Sequence, residues 1–444
     1  MAKLDKYLQR HASVYPLEGK AGTTKNTTVD TAVIIPALAE SSSLPETLRS
    51  LARNPEHVLR RTLVIVVVNN PPVAGASDRK KESDIAQEWA ADNRKTLQWL
   101  SRNAEQLPLN LAWIDKSSPG AELPRHRGVG LARKIGTDTF LDLLQDDESV
   151  QEAPSALGKI HILHLDADTQ VDADYLPGAK AAFRNTDAGA VCLDFEHSPA
   201  QDQHTREIIT AYELFLHYYV AGLQWAGSPY AFHTIGSTMA CTASAYIRAL
   251  GIPPARRGGE DFYFLQKVAK QDGVKTSAET TVHPSPRSSS RVPIGTGPHV
   301  RDQTAIRAAM DHSYNPYVFA EIKNLYDTVT EGTDMKAQDI TRRLQNIELS
   351  AFLENHRFPQ IWQKLQRQHS ADSARLRAFH QWFDGLMIYK LIRRLTQSSL
   401  PKVELAQAWD ELMAWRGRTD CVGGTITSRL QRWRNAGNRR RGGP

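Results

Sequence analysis

The sequence predicts an α/β protein, a mostly parallel sheet flanked by helices, with a helical extension after it. Two observations carry this reading. The segments Thr31–Pro36, Leu63–Val68 and Ile160–Leu165 have strand length, and the β-branched density and missing alternation of Leu63–Val68 suggest a sheet covered on both faces. The stretches between them place apolar residues at helical intervals, and strands alternating with helices build parallel sheets through βαβ units.

Residues 1–29 have weak periodicity and end in a polar run from Gly22 to Thr28, which reads as an N-terminal arm. The first strand stops at Pro36. Leu44, Leu48 and Leu51 mark a helix over 43–54. The second strand runs into Asn69-Asn70-Pro71-Pro72, an abrupt turn. Ile85, Trp89, Leu97 and Leu100 sit at roughly helical spacing in an otherwise polar segment. A third strand spans 109–115. A loop from Ser117 to Gly130, punctuated by Gly and Pro, leads into a helix through Leu144. Ile160–Leu165 is the fourth strand and ends at Asp166. A helix over 175–185, a strand over 188–195, a long amphipathic helix over 204–225, a helix over 262–269 and a strand over 273–282 follow. Beyond about residue 300 the strand signal disappears. The expected organisation is an arm (1–29), an α/β domain (30–300), a helical extension (301–420) and a basic, flexible tail (421–444).

Composition bounds the function. With 444 residues, 41% of them hydrophobic, the chain can bury a sizeable core. No apolar run reaches the roughly 18 residues of a membrane span. The first twenty residues mix charges throughout and lack the apolar core of a signal peptide, so a cytoplasmic location is expected. Cys192, Cys241 and Cys421 are too far apart for a Cys-x-x-Cys site and too few for a disulfide framework. The net charge of +6 owes much to Arg429, Arg432, Arg434, Arg439, Arg440 and Arg441. A tail of this kind is either a solvated terminus or a weak peripheral contact for an anionic membrane surface. Nothing has the pattern of a nucleic-acid-binding module.

The chemistry concentrates at His164-Leu165-Asp166-Ala167-Asp168. Two carboxylates one residue apart, just past a buried strand, can face one cleft. Hard cations such as Mg²⁺ and Mn²⁺ prefer such oxygen ligands and leave coordination positions for pyrophosphate oxygens. Against this stands an ordinary turn after a strand. Gly258-Gly259-Glu260-Asp261 opens a helix, where acidic residues are favoured by the helix dipole. The functional reading makes one of these carboxylates a general base for an acceptor hydroxyl. His283, after the last strand, is either a third metal ligand or a loop histidine. Arg287 and Arg291 lie in a Gly- and Ser-rich loop that is either an active-site lid, in which they would contact phosphate, or a plain disordered loop. Arg125, Arg127, Arg133 and Lys134 surround Gly128 and Gly130, a phosphate cradle or a solvated basic loop.

These residues, in this order, resemble family-2-like glycosyltransferases of the GT-A (nucleotide-diphospho-sugar transferase) type, Rossmann-like in their sheet. Val33-Ile-Ile-Pro-Ala-Leu-Ala-Glu40 resembles their opening strand and P-x-x-x-E turn. Arg127-Gly-Val-Gly-Leu-Ala-Arg-Lys-Ile-Gly136 resembles their G-x-x-x-A-R-N-x-G segment. Leu165–Asp168 is similar to the D-x-D strand, and Gly259-Glu-Asp261 to the E-D acceptor motif. The resemblance runs from about residue 30 to 298. It implies that Pro36, Ala37 and Glu40 line a nucleotide pocket, that Asn69 lies at its base-reading end and that Arg133 lies near the diphosphate. It further implies that Asp166 faces the ribose or diphosphate, that Asp168 binds metal and that Asp261, beside Glu260, is the base of an inverting enzyme. The expected cofactor is Mn²⁺ or Mg²⁺, held by Asp166, Asp168 and His283, and the expected donor is a nucleotide-diphospho-sugar.

The sequence departs from that pattern in places. Asn69-Asn70 replaces a common aspartate pair, Lys134 replaces an asparagine, and the Gln-x-x-Arg-Trp motif of processive synthases is absent. A soluble enzyme adding one hexosyl unit fits better than a membrane synthase. Retaining GT-A enzymes resembling mannosylglycerate and glucosyl-phosphoglycerate synthases share the D-x-D and a late histidine, so the stereochemistry stays open. Other readings are a non-catalytic nucleotide-sugar-binding scaffold and a nucleotidyltransferase, though Pro36–Glu40 lacks the basic, Gly-rich loop of the latter. Trp225, Tyr230 and Phe232 either stack on an acceptor sugar near 228–236 or pack in a core.

Overall fold

The apolar segments form strands where their composition requires it. In the computed structural model, which describes residues 2–20, 29–72, 80–184, 186–253, 258–287 and 312–438, nine strands make one sheet. They are β1 (Glu18–Gly19), β2 (Thr31–Ala37), β3 (Thr62–Asn69), β4 (Asn110–Lys116), β5 (His161–His164), β6 (Gln170–Val171), β7 (Ala190–Phe195), β8 (Met239–Thr242) and β9 (Val274–His283). Their order is β1-β4-β3-β2-β5-β8-β7-β9-β6. The long ladders β4-β3-β2-β5 and β7-β9 are parallel, and the short pairings at β1, β6 and β8 are antiparallel. The expected α/β class is therefore present as a mixed, largely parallel sheet flanked by helices, with a helical C-terminal part. Every residue of β2 and β3 is buried, as their continuous apolarity requires.

The chain divides into two compact units, Met1–Ala200 with Thr234–Arg301, and Gln201–His233 with Asp302–Pro444. The sheet lies wholly in the first. Pro36 sits in a central strand, where a missing N–H would ordinarily be costly. The pairing of β2 with β5 ends at Ile34↔His164, and Leu165 N–H donates to the Ile34 carbonyl. Pro36, two residues further on, points to the same side, where β5 has already turned away. The proline thus marks the place where two neighbouring strands part.

The N-terminal arm is more ordered than its weak periodicity suggests. Ala2–His11 is a helix that buries Leu4 and Tyr7. The Tyr7 hydroxyl donates to Asp138 at 2.7 Å, and Lys134 Nζ reaches both Asp138 at 2.8 Å and the Tyr7 hydroxyl at 3.0 Å. Lys134 is therefore spent on holding this helix, which corrects its expected place in a phosphate cradle.

The second unit contains helices Gln203–Trp225, Tyr317–Glu331, Ala337–Arg343, Ile347–Asn355, Phe358–Gln368, Asp372–Trp382, Gly385–Ser398, Leu405–Trp415 and Ile426–Asn438. The first of these falls inside the stretch expected to be α/β domain. Its amphipathic pattern is right, but its buried face meets helices from beyond residue 312. Gly222 lies against the ring of Phe319, where an added Cβ would collide. In an open helix Gly→Ala gains about 1 kcal/mol. Here overpacking costs roughly 1–3 kcal/mol, so Gly222→Ala is expected to lower the thermal midpoint, and a raised midpoint would count against this packing.

The expected flexible tail is also corrected over 426–438. Leu430 is buried, and Trp433 meets Trp409 at 5.5 Å. Arg429 pairs with Asp410 at 2.6 Å, and Arg434 with Glu213. Three of the six arginines that suggested a solvated tail lie on this packed helix, and Arg439–Arg441 lie outside the described residues. No helix among the described residues is long and apolar enough to cross a membrane.

Candidate functional site

The strand order reverses between β2 and β5. From β2 the sheet grows outward through β3 and β4, and the chain then returns to lay β5 on the other side of β2. Ligands of open α/β sheets bind at such a switch point, beyond the carboxyl ends of the strands. Glu40 follows β2 there, and Asp166 and Asp168 follow β5.

The helix Val129–Leu143 brings a cation to the same place. Gly136 lies against β2 and β3, where an added Cβ would stand 2.7 Å from Ile34 Cγ2 and 3.1 Å from Val67 Cγ2. The absence of a side chain lets the helix press onto the sheet. Arg133 lies one turn earlier on the same face. Its side chain is 3% exposed and bridges two carboxylates, Nη2 to Asp166 and Nη1 to Glu260. Two glycines shape its slot. An added Cβ on Gly236 would strike the guanidinium, and one on Gly130 would come within 2.9 Å of Glu260 Cβ.

Glu260 and Asp261 open the helix Glu260–Gln271, after Gly259 in the left-handed region at φ 80°. Only glycine takes up that conformation freely. Glu260 thus stands at a helix N-terminus, where the dipole favours it, and also closes the arginine bridge. The Asp261 carboxyl accepts from the Phe262 N–H at 2.7 Å. Burial, then the neighbouring Glu260 charge, push it up to about 7.

A second arginine mirrors the first. Arg287 Nε donates to Asp168 at 2.8 Å, Nη2 to Glu40, and Nη1 to the Ser43 hydroxyl at 3.3 Å. Glu40, Asp166, Asp168, Glu260, Arg133 and Arg287 thus form two linked arginine–carboxylate bridges. Behind them His164 is fully buried, and neither ring nitrogen has a hydrogen-bonding partner among the described residues. Burial, then the nearby Arg133 charge, hold its pKa down at about 3, so it is a neutral imidazole.

Other expected residues have different places. Pro36 and Ala37 are buried at the end of β2. The side-chain NH2 of Asn69 donates to the carbonyls of Ala37 at 3.1 Å and Val67 at 3.3 Å. His283 does not join Asp166 and Asp168. One ring nitrogen meets the Glu196 carbonyl and the other Asp172, both at 3.1 Å. Its strand pairs with β6, which directs it there. Among the described residues no three His, Cys, Asp or Glu side chains gather as a metal-ligand group.

Arg125 is exposed and takes no part in the bridges. Tyr230 and Phe232 are buried in the helical unit, where the Tyr230 hydroxyl donates to the His380 carbonyl at 2.7 Å, and Trp225 meets Trp415. Their packing reading replaces the sugar-stacking one. Arg291 and most of its loop lie outside the described residues.

The sequence reading passed over Asp92 and Asn93 on the helix Lys80–Asn103. Asp92 accepts from the Ser41 N–H at 2.9 Å and its hydroxyl at 2.6 Å. Asn93, fully buried, accepts from the Ala39 N–H at 2.8 Å and donates to the Asn69 carbonyl at 2.9 Å. Ala39 has φ 54°, unfavourable for a residue with a Cβ, and Asn93 holds it so. The signal was available, since Asn93 falls on the stripe of Ala86, Trp89, Thr96 and Leu100, where an apolar residue is due.

No family model matches the chain, and no curated protein does. Among solved structures, it is similar to residues 1–349 of TarS from S. aureus in complex with UDP-GlcNAc, at 13% identity, 92% of each chain covered and a TM-score of 0.37. It is also similar to the mannosyltransferase PcManGT from Pyrobaculum calidifontis in complex with GDP-Man and Mn²⁺, at 15% identity, 86% of this chain and 94% of that one covered, and a TM-score of 0.35. Likenesses this distant decide nothing about the chemistry of this chain.

Proposed function

We propose that the protein transfers a sugar from a nucleotide-diphospho-sugar to an acceptor hydroxyl, with inversion and with Asp261 as the base. The observation that carries this is the bridge of Arg133 between Asp166 and Glu260 at the β2/β5 switch point. It joins a D-x-D segment to a Glu-Asp pair that the sequence keeps almost a hundred residues away. At such a switch point Arg133 and Arg287 are suited to take the charge of a diphosphate. Asp261 accepts the acceptor's proton as its oxygen bonds to the anomeric carbon. The bond from that carbon to the diphosphate breaks, and the nucleoside diphosphate leaves.

The donor chemistry of Asp166 and Asp168 fits a hard divalent cation. Each arginine takes one oxygen, Oδ1 of Asp166 and Oδ2 of Asp168, and the second oxygen of each has no hydrogen-bonding partner among the described residues. A cation held by those carboxylates would neutralise the departing diphosphate. His283 is not part of this set.

The test is a thermal-shift screen of UDP- and GDP-sugars with and without Mn²⁺. The wild-type protein is expected to gain several degrees with one nucleotide class and Mn²⁺ together, since a ligand at about 100 times its Kd adds roughly 2.7 kcal/mol. Asp168→Ala should abolish the Mn²⁺-dependent part. An undiminished Mn²⁺-dependent shift in that variant would remove Asp168 as a ligand.

A further inference from the structure

The helical unit carries a groove that sugar transfer at the switch point leaves unused. Its volume is about 240 Å³, and Tyr314, Tyr389, Arg393, Thr396, Gln397 and Lys402 line it. Four of these stand at i, i+4, i+7 and i+8 on the helix Gly385–Ser398, which is one face of that helix. The opposite face, Ile388, Leu391, Ile392 and Leu395, is buried. The other two residues arrive together by strand pairing. His312–Ser313 pairs antiparallel with Val403–Glu404, with Ser313 opposite Val403, so Tyr314 and Lys402 are the next positions of that ladder.

The walls are fixed and the charge is one-sided. The Tyr314 ring meets Phe215 at 5.8 Å and Tyr219 at 6.2 Å, and its carbonyl accepts from the Tyr218 hydroxyl at 2.8 Å. Tyr389 is 41% exposed, with the Arg393 guanidinium 5.8 Å from its ring centre. Among the described residues no acid lines the groove. The adjacent Arg394 pairs with Glu348 at 2.7 Å, whereas Arg393 and Lys402 have no carboxylate partner among the described residues. A solvated helix face ordinarily intersperses acids with its bases. Here two uncompensated cations flank two tyrosine rings around a cavity.

We propose that this groove binds a phosphorylated sugar, the phosphate between Arg393 and Lys402 and the ring against Tyr389 and Tyr314. Guanidinium and ammonium groups bind phosphate, and tyrosine offers a broad, rigid apolar face with a polar tip. The choice of a sugar as the ring rests on the transferase reading. The anion half of the site does not.

Isothermal titration of the full chain with glucose 1-phosphate, glucose, inorganic phosphate and UMP tests this. Glucose 1-phosphate should bind saturably, and the other three about tenfold more weakly or worse, because each lacks one half of the contacts or the right ring. Arg393→Ala/Lys402→Ala should weaken glucose 1-phosphate at least about tenfold at an unchanged thermal midpoint, as both side chains are exposed, and Tyr389→Ala should weaken it too. Asp168→Ala should leave it unchanged, which separates this groove from the switch-point site. Binding that survives the double substitution, or that Asp168→Ala abolishes, overturns the proposal. Inorganic phosphate binding as tightly as glucose 1-phosphate, or UMP more tightly, overturns it as well.

Discussion

Replacing Arg133 with methionine is expected to destabilise the protein by about 3–5 kcal/mol, the usual cost of removing one partner from a buried ion pair. The methionine fills much of the same volume, so lost packing contributes little. What remains is Glu260, whose side chain is 4% exposed and whose charge Arg133 alone balances among the described hydrogen bonds and ion pairs, together with a half-buried Asp166. Lysine cannot stand in, because one ammonium does not present the forked donors that reach both carboxylates. The double variant Arg133→Met/Glu260→Gln should recover at least half of the loss, since the stranded charge is then gone.

The loss should also depend on pH. Carboxylates left unpaired take up protons in acid and cease to cost as much, so the defect should be larger at pH 8 than at pH 5. Urea denaturation at the two pH values measures all of this. Arg133→Met unfolding at the wild-type urea midpoint would show that the bridge holds nothing together.

Much of this arrangement was legible before any coordinates, and the reason differs by residue. The buried strands were plain because continuous β-branched apolarity has few alternatives. Asp166, Asp168, Glu260 and Asp261 were legible because short polar runs directly follow strands or open a helix. β8 was not, since Met239-Ala-Cys-Thr242 is only four residues long. That Arg133 spans Asp166 and Glu260 is a fact of tertiary packing, set by Gly136 against Ile34 and by Gly236 beside the guanidinium. Local periodicity does not encode such a contact. His283 misled because its distance in sequence from the D-x-D segment says nothing of direction, and its pairing with Gln170 aims it at Asp172. The basic tail misled for a similar reason, because charge counting cannot see Asp410 and Glu213 waiting for Arg429 and Arg434.

Asp261→Asn should lower kcat/KM by about 10²–10⁴-fold, the ordinary contribution of a general base, and leave nucleotide affinity within about threefold of wild type. The pH dependence makes the assignment specific. A base acts only when deprotonated, and this carboxyl is pushed up to about 7 by burial and by Glu260. Wild-type kcat/KM should therefore rise with pH through an apparent pKa near 7. Glu260→Gln removes the negative neighbour and should move that limb to lower pH, a displacement that mere loss of structure does not produce.

Stability should run the opposite way. Between the unfolded value near 4 and the folded value near 7, the folded state holds more protons than the unfolded one, so stability falls as pH rises across that window. The amide of the Asp261→Asn variant has nothing to titrate, and that variant should gain thermal stability relative to wild type between pH 5 and 8. An acid limb that stays in place in Glu260→Gln, or an Asp261→Asn variant with full turnover, would assign the proton transfer to another group.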